Sequence, residues 1–317
     1  MKKPLSIILV VLLVNTLSAQ MIVKPTPAFP ELSGFPNVRD FTIGNDGKEA
    51  YCTLQSPLEN VSVLVRMTMK KKRWSEPEMV DFTGQYRDIE PFLSPDGLKL
   101  YFSSNRPVTS SGKEPKDYDI WYVERSTLDS PWGKPVNLGK PVNSDHNEFY
   151  PSVADNNNLY FTSDIPGFKG KDDILCSKWS GSSYQQPVSL DTTINTEGYE
   201  FNAYVAPDES FLLFSGYNRD DGVGSGDLYI SVRNPDTTWK KATNLGSNIN
   251  TTFMDYCPFV DLSTKTLYFT SKRSSIVRQE FNSINDFVAE INRYENGMSR
   301  IYKVSWIKLE DIKSSGQ

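Results

Sequence analysis

Four acids recur at one position of this sequence, each at the head of a short apolar run: Asp88, Glu148, Glu200 and Asp255. Brought together, four carboxylates repel one another unless a cation, an Arg or Lys, or a hydroxyl-rich ligand relieves them. They would therefore suit a divalent cation or a polyol, with Tyr150, Asn202 and Tyr256 nearby as stacking or hydrogen-bonding groups. The structural alternative is that each acid accepts hydrogen bonds from backbone amides of a neighbouring unit. A second set of residues, Asn105-Arg106, Asn218-Arg219 and Lys272-Arg273, follows the same runs. Arg106 with Asp119 and Arg219 with Asp227 stand at related offsets, as internal ion pairs would. Asp164 with Asp173, both acidic, and Arg273 with Arg300, both basic, break that pattern and mark where a ligand is expected.

Most enzyme chemistries lack their residues. His146 is the only histidine and no GxSxG exists, so a nucleophile–base triad is excluded. Cys52, Cys176 and Cys257 are an odd count without close spacing, which denies both a disulfide framework and a zinc site. Glycoside hydrolysis needs only two carboxylates about 5 to 10 Å apart. Glu148, Glu200 and Asp255 are the candidates for it, although copies of one repeat position do not resemble unique acids in distinct roles.

The elements that must position these residues form a repeat. It reads DIEPFLSPDGLKLYFSSNR from Asp88, EFYPSVADNNNLYFTSD from Glu148, EFNAYVAPDESFLLFSG from Glu200 and DYCPFVDLSTKTLYFTSKR from Asp255, with a weaker first copy, VRDFTIGNDGKEAYCTL, from Val38. Anchored on Tyr51, Tyr101, Tyr160, Leu213 and Tyr268, the steps are 50, 59, 53 and 55 residues. Each copy continues with a second apolar run, such as Asp119 to Tyr122, and the first four add an outer run such as Trp132 to Leu138. Turn residues such as Asn45-Asp46-Gly47 and Pro95-Asp96-Gly97 separate the first two runs. Four β-rich runs per copy predict a four-stranded antiparallel meander. Such sheets must pack face to face around an axis, so an all-β five-bladed propeller is predicted over residues 37–312, with six blades as the alternative. The last copy lacks an outer run, and a strand near Met21 to Lys24, within the closing segment 20–36, is expected to supply it beside Ile301 to Val304. Residues 313–317 are a tail.

The SPDG-LYFSSNR unit followed by Asp-Ile-Trp resembles the WD40-like repeat called PD40, found in TolB-type propellers. That resemblance spans roughly residues 37–305 and implies the fold, not an activity.

Lys2 and Lys3 before the apolar run Leu5 to Val14, then Ser18 and Ala19, predict a signal peptide over 1–19 and a secreted or periplasmic protein. Cleavage removes two lysines and no acid, so the formal net charge of −5 becomes −7. That balance excludes an electrostatic footprint for nucleic acid, and no apolar stretch is long enough for a membrane span. The last copy also carries an insertion, Ser274 to Gly297, in which Ile284, Phe287, Val288 and Ile291 predict a short amphipathic helix capped by Ser283. It would pack over the ring or act as a lid that turns Arg293 and Tyr294 to the channel. The resulting expectation is a monomeric, non-catalytic module that engages a protein or glycan at the channel mouth through Asp88, Glu148, Tyr150, Glu200, Asn202, Asp255, Tyr256, Arg273 and Arg300. A carbohydrate-active hydrolase or lyase is the alternative. No cofactor is expected beyond a divalent cation in the central channel.

Overall fold

A computed structural model describes residues 24–109 and 114–306. Each predicted copy folds into one small antiparallel sheet, and five of them form a five-bladed β-propeller. The innermost strands are Val38–Ile43, Asp88–Leu93, Glu148–Val153, Tyr199–Val205 and Asp255–Asp261. Each packs against the next, and the fifth packs against the first, which closes the ring. The hairpin after every inner strand uses the same device: Asp46, Asp96, Asn156, Asp208 and Asp261 each accept the amide two residues on. Short Asx side chains favour that turn because they mimic a backbone carbonyl.

The ring is sealed where the sequence predicts, with a shift in register. Thr26–Pro27 pairs antiparallel with Tyr302 and Lys303 as the fourth strand of blade five, and Ala28 N–H donates to Ile301 O at 3.0 Å. Lys24 precedes this strand, and Met21 to Val23 lie outside the described residues. Phe29 follows immediately and fixes the seam. Its ring stacks on Tyr268 at 5.7 Å and lies 4.9 Å from Phe41 of blade one, so the segment after the closing strand is packed against both ends of the ring. The lower channel is filled by aromatic rings: Phe259 of blade five meets Phe41, Phe92 and Tyr204 of three other blades.

The inserted helix forms over Ile284–Ile291 with Ser283 accepting from Asp286 N–H, as its pattern predicts. Its apolar stripe does not pack over the ring: Ile284, Phe287, Val288 and Ile291 are all exposed, and Glu290 is the buried residue. Among the described residues no helix is long and apolar enough to cross a membrane.

Candidate functional site

The four repeated acids do not meet at the axis. Each is fully buried inside its own blade, and none lines the axial cavity. Each is gripped from behind by a hydroxyl on the loop leading into its strand: Thr83 for Asp88, Ser144 for Glu148, Thr196 for Glu200 and Thr251 for Asp255. From the front, three of them bind an arginine on the loop after the second strand, Arg106 to Asp88 at 2.6 Å, Arg219 to Glu200 at 2.8 Å and Arg273 to Asp255 at 2.9 Å. Each guanidinium also lies over an aromatic ring of its own blade's second strand, Phe102, Phe214 or Phe269. This is a latch that ties three strands and a loop together, and it uses the planar guanidinium's ability to bond and stack at once. The expected pairs of Arg106 with Asp119 and Arg219 with Asp227 do not form. Asp119 instead takes Lys116 and Asn137, while Asp227 accepts the amides of Val223 and Gly224.

Blade three lacks the latch arginine. Glu148 keeps the amide and hydroxyl of Ser144 and approaches Ser163 at 3.4 Å, but among the described residues no cation forms an ion pair with it. Burial, with Asp119 and Asp117 nearby, pushes its carboxyl up to about 7. Asp164 is spent on Asn147.

The axis is built by a different position. Two residues past each acid, or past Val38 in blade one, stand Asp40, Glu90, Tyr150, Asn202 and Cys257, and all five have left-handed φ between 48° and 61°. The inner-strand ladder slips by one residue there in every blade, so each site is a β-bulge that re-aims its side chain. The bulges pay backbone strain unusual for non-glycine residues. Hydroxyls of the preceding blade hold three of the bulge amides: Thr270 that of Asp40, Thr53 that of Glu90 and Thr162 that of Asn202. Contacts between blades that are not neighbours prove convergence: Asn202 donates to Glu90 at 3.2 Å and Tyr150 Oη to Pro258 O at 2.9 Å.

Arg39 organises this centre. It bonds Asp40 at 2.9 Å and Glu90 at 2.8 Å and lies 5.1 Å over the Tyr256 ring. Asp40 also accepts from Thr53 and from the Cys257 thiol. The second Glu90 oxygen accepts Tyr150 N–H at 2.7 Å. Burial pushes Glu90 up to about 7 in spite of the Arg39 guanidinium, and it pushes the Cys257 thiol well above the usual range.

Above the centre opens a cavity of about 470 Å³. The residue after each acid position lines it in every blade: Arg39, Ile89, Phe149, Phe201 and Tyr256. Glu90 and Asn202 form its floor, and Arg87, Tyr118 and Asp172 stand on its walls. Burial and then the neighbouring Asp164, Asp173 and Glu200 push Asp172 up to about 6.

Of the residues singled out from sequence, Tyr150, Asn202 and Tyr256 are brought together at the axis. Asp88, Glu148, Glu200 and Asp255 are not, and Arg273 serves the latch. Arg300 is buried at the edge of blade five, donating to Tyr294 O and Phe35 O. Arg293 bonds Glu290 and Tyr294 bonds Ile301 O, and neither lines the axial cavity. Among the described residues no group of three or more His, Cys, Asp or Glu is arranged to hold a metal ion. Sequence reasoning missed Arg39, Asp40, Glu90, Arg87 and Tyr118. A signal existed: one repeat position carries five different residues, Asp40, Glu90, Tyr150, Asn202 and Cys257, while its neighbours repeat.

No protein-family model and no curated protein matches this sequence. Solved structures do match in fold. The α-L-arabinofuranosidase PaAbf62A from Podospora anserina, in complex with cellotriose, aligns with TM-score 0.53 at 12% identity over 89% of this chain and 95% of its own. CoXyl43, a GH43 β-xylosidase/α-arabinofuranosidase from a compost microbial metagenome in complex with xylotriose, aligns with TM-score 0.51 at 9% identity over 88% and 94%. The putative TolB from Agrobacterium tumefaciens aligns with TM-score 0.47 at 14% identity over 74% and 69%.

Proposed function

We propose that this chain is an exported, non-catalytic binding module of the PD40-repeat type that holds a saccharide in the mouth of its axial channel. The observation that carries the reading is the bulge ring: one strained backbone feature repeated in five blades, bearing five different side chains under a cavity. Structural repeats have no need to diversify a strained position, whereas a binding site does. The mouth mixes flat faces, Phe149, Phe201 and Tyr256, with the polar groups Arg39, Glu90 and Asn202. A sugar presents that alternation of C–H faces and hydroxyls. The saccharide-bound propellers share only the fold, so the reading rests on these residues.

Hydrolysis is the second reading, and Glu90 favours it, because a carboxyl near 7 is what a general acid requires. Against it, Asp40 and Glu90 already have their oxygens engaged by Arg39, Thr53, Cys257, Asn202 and Tyr150 N–H. Titration calorimetry against a panel of neutral and acidic oligosaccharides tests both. Binding without release of reducing ends, weakened at least tenfold in N202A, is expected. Reducing-end release that disappears in E90Q would overturn the binding reading, as would failure of every saccharide to bind.

A further inference from the structure

Among the described residues, two polar atoms of neighbouring side chains that line the axial cavity have no hydrogen-bond partner. Tyr118 is 9% exposed, yet its hydroxyl is buried without a hydrogen bond. Arg87 lies beside it, its guanidinium 5.4 Å from the Tyr118 ring centroid, and its Nε is buried and equally unpartnered. Arg87 is also in no ion pair among the described residues. Its situation differs from that of the other arginines of the ring. Arg39 is neutralised by Asp40 and Glu90, and Arg106, Arg219 and Arg273 each hold a latch acid. Leaving a buried donor unsatisfied carries a real penalty, which a ligand or a water molecule that reaches it would relieve.

Two acids whose charges act on Tyr118, Asp88 and Glu90, are each answered by a guanidinium, Arg106 and Arg39. Asp172 sits among Asp164, Asp173 and Glu200. The cavity lining therefore combines a guanidinium in no ion pair among the described residues and a phenol with the carboxyl of Asp172 and the polar groups of Thr162 and Asn202.

We infer that the ligand is an acidic saccharide, whose carboxylate seats against Arg87 and Tyr118 while its hydroxyls face Asp172 and Asn202. The inference rests on the saccharide reading above and narrows it to uronic-acid sugars. A guanidinium and a phenol donating to one carboxylate would give charge-assisted bonds, which are stronger than those a neutral hydroxymethyl group would accept. Carboxyl reduction of the sugar removes the charge and leaves the ring unchanged.

The test compares a trigalacturonate with its carboxyl-reduced neutral counterpart by titration calorimetry, on the wild-type chain and on the Y118F and R87Q variants. Wild type is expected to prefer the acidic sugar at least tenfold, with the preference shrinking as salt is added. Y118F removes only an orphaned hydroxyl, so its melting temperature should be no lower than wild type while its preference falls severalfold. R87Q should bring the two sugars to equal affinity. Equal affinity in wild type, or a preference that survives both substitutions, overturns the acidic-sugar inference and leaves the saccharide reading in place. Failure of both sugars to bind wild type overturns the two together.

Discussion

Glu148 should behave as a destabilising charge whose effect switches on with pH. Its latch-bearing counterparts face an arginine, but blade three supplies none, and burial pushes the Glu148 carboxyl from the ordinary 4.5 up to about 7. Between those values the folded chain holds a proton that the unfolded chain has released. Stability therefore falls as pH rises through this window, from full below about 4.5 to lost above about 7. Each tenfold in proton affinity is worth about 1.4 kcal/mol, so the raised carboxyl accounts for about 3 kcal/mol across the window. E148Q keeps the shape and removes the titration. Urea unfolding of wild type and E148Q at pH 5 and pH 8 measures the effect directly. The stability of E148Q relative to wild type should improve by about 2 to 3 kcal/mol between the two pH values, an amount set by that raised carboxyl. Because the comparison is a difference of differences, Glu90, which titrates in the same range, cancels. The same pH dependence in both chains would refute the claim that Glu148 is a buried acid without a cation.

The opposite result is expected where the latch is complete. R219L strands Glu200, which is fully buried, and should cost about 3 to 5 kcal/mol in denaturant unfolding, much of it recovered in the R219L/E200L double variant. An R219L chain as stable as wild type at pH 7 would count against a charged pair. F29A should cost about 3 to 5 kcal/mol, because that ring is 2% exposed and packs on Tyr268 and Phe41 across the closing seam. An unchanged melting temperature would mean that the first strand does not hold the ring shut.

The repeat was legible because β-propeller blades are local. Alternating apolar runs, Asx turns such as Asp96-Gly97 and the recurring aromatic slot of Cys52, Phe102, Phe161, Phe214 and Phe269 each depend on residues within about 50 positions, and that slot is uniformly buried. The helix at Ile284–Ile291 was legible for the same reason, since its cap and periodicity lie within one short segment. The direction its apolar face takes was not, because that depends on what the blade beneath it presents. A further repeated signal lay unread in the sequence: Val142-Asn143-Ser144, Ile194-Asn195-Thr196 and Ile249-Asn250-Thr251 each stand just before a repeated acid. Their asparagines bracket the third strand at Ile120, Ile174 and Leu228, and their hydroxyls grip the acids.

Sequence by itself determined the class of the fold, the number of blades and the closure of the last by the first, since each follows from local pattern and from the need to leave no sheet edge unpaired. Tertiary structure alone decided which repeated residues are scaffold and which are site. The four repeated acids face into their own blades, where arginines take up three of them. The residues two positions on are turned to the axis by a one-residue slip in the ladder. A β-strand changes face with every residue, so a slip invisible in composition or spacing moves the chemistry from the repeated carboxylates to Asp40, Glu90, Tyr150, Asn202 and Cys257.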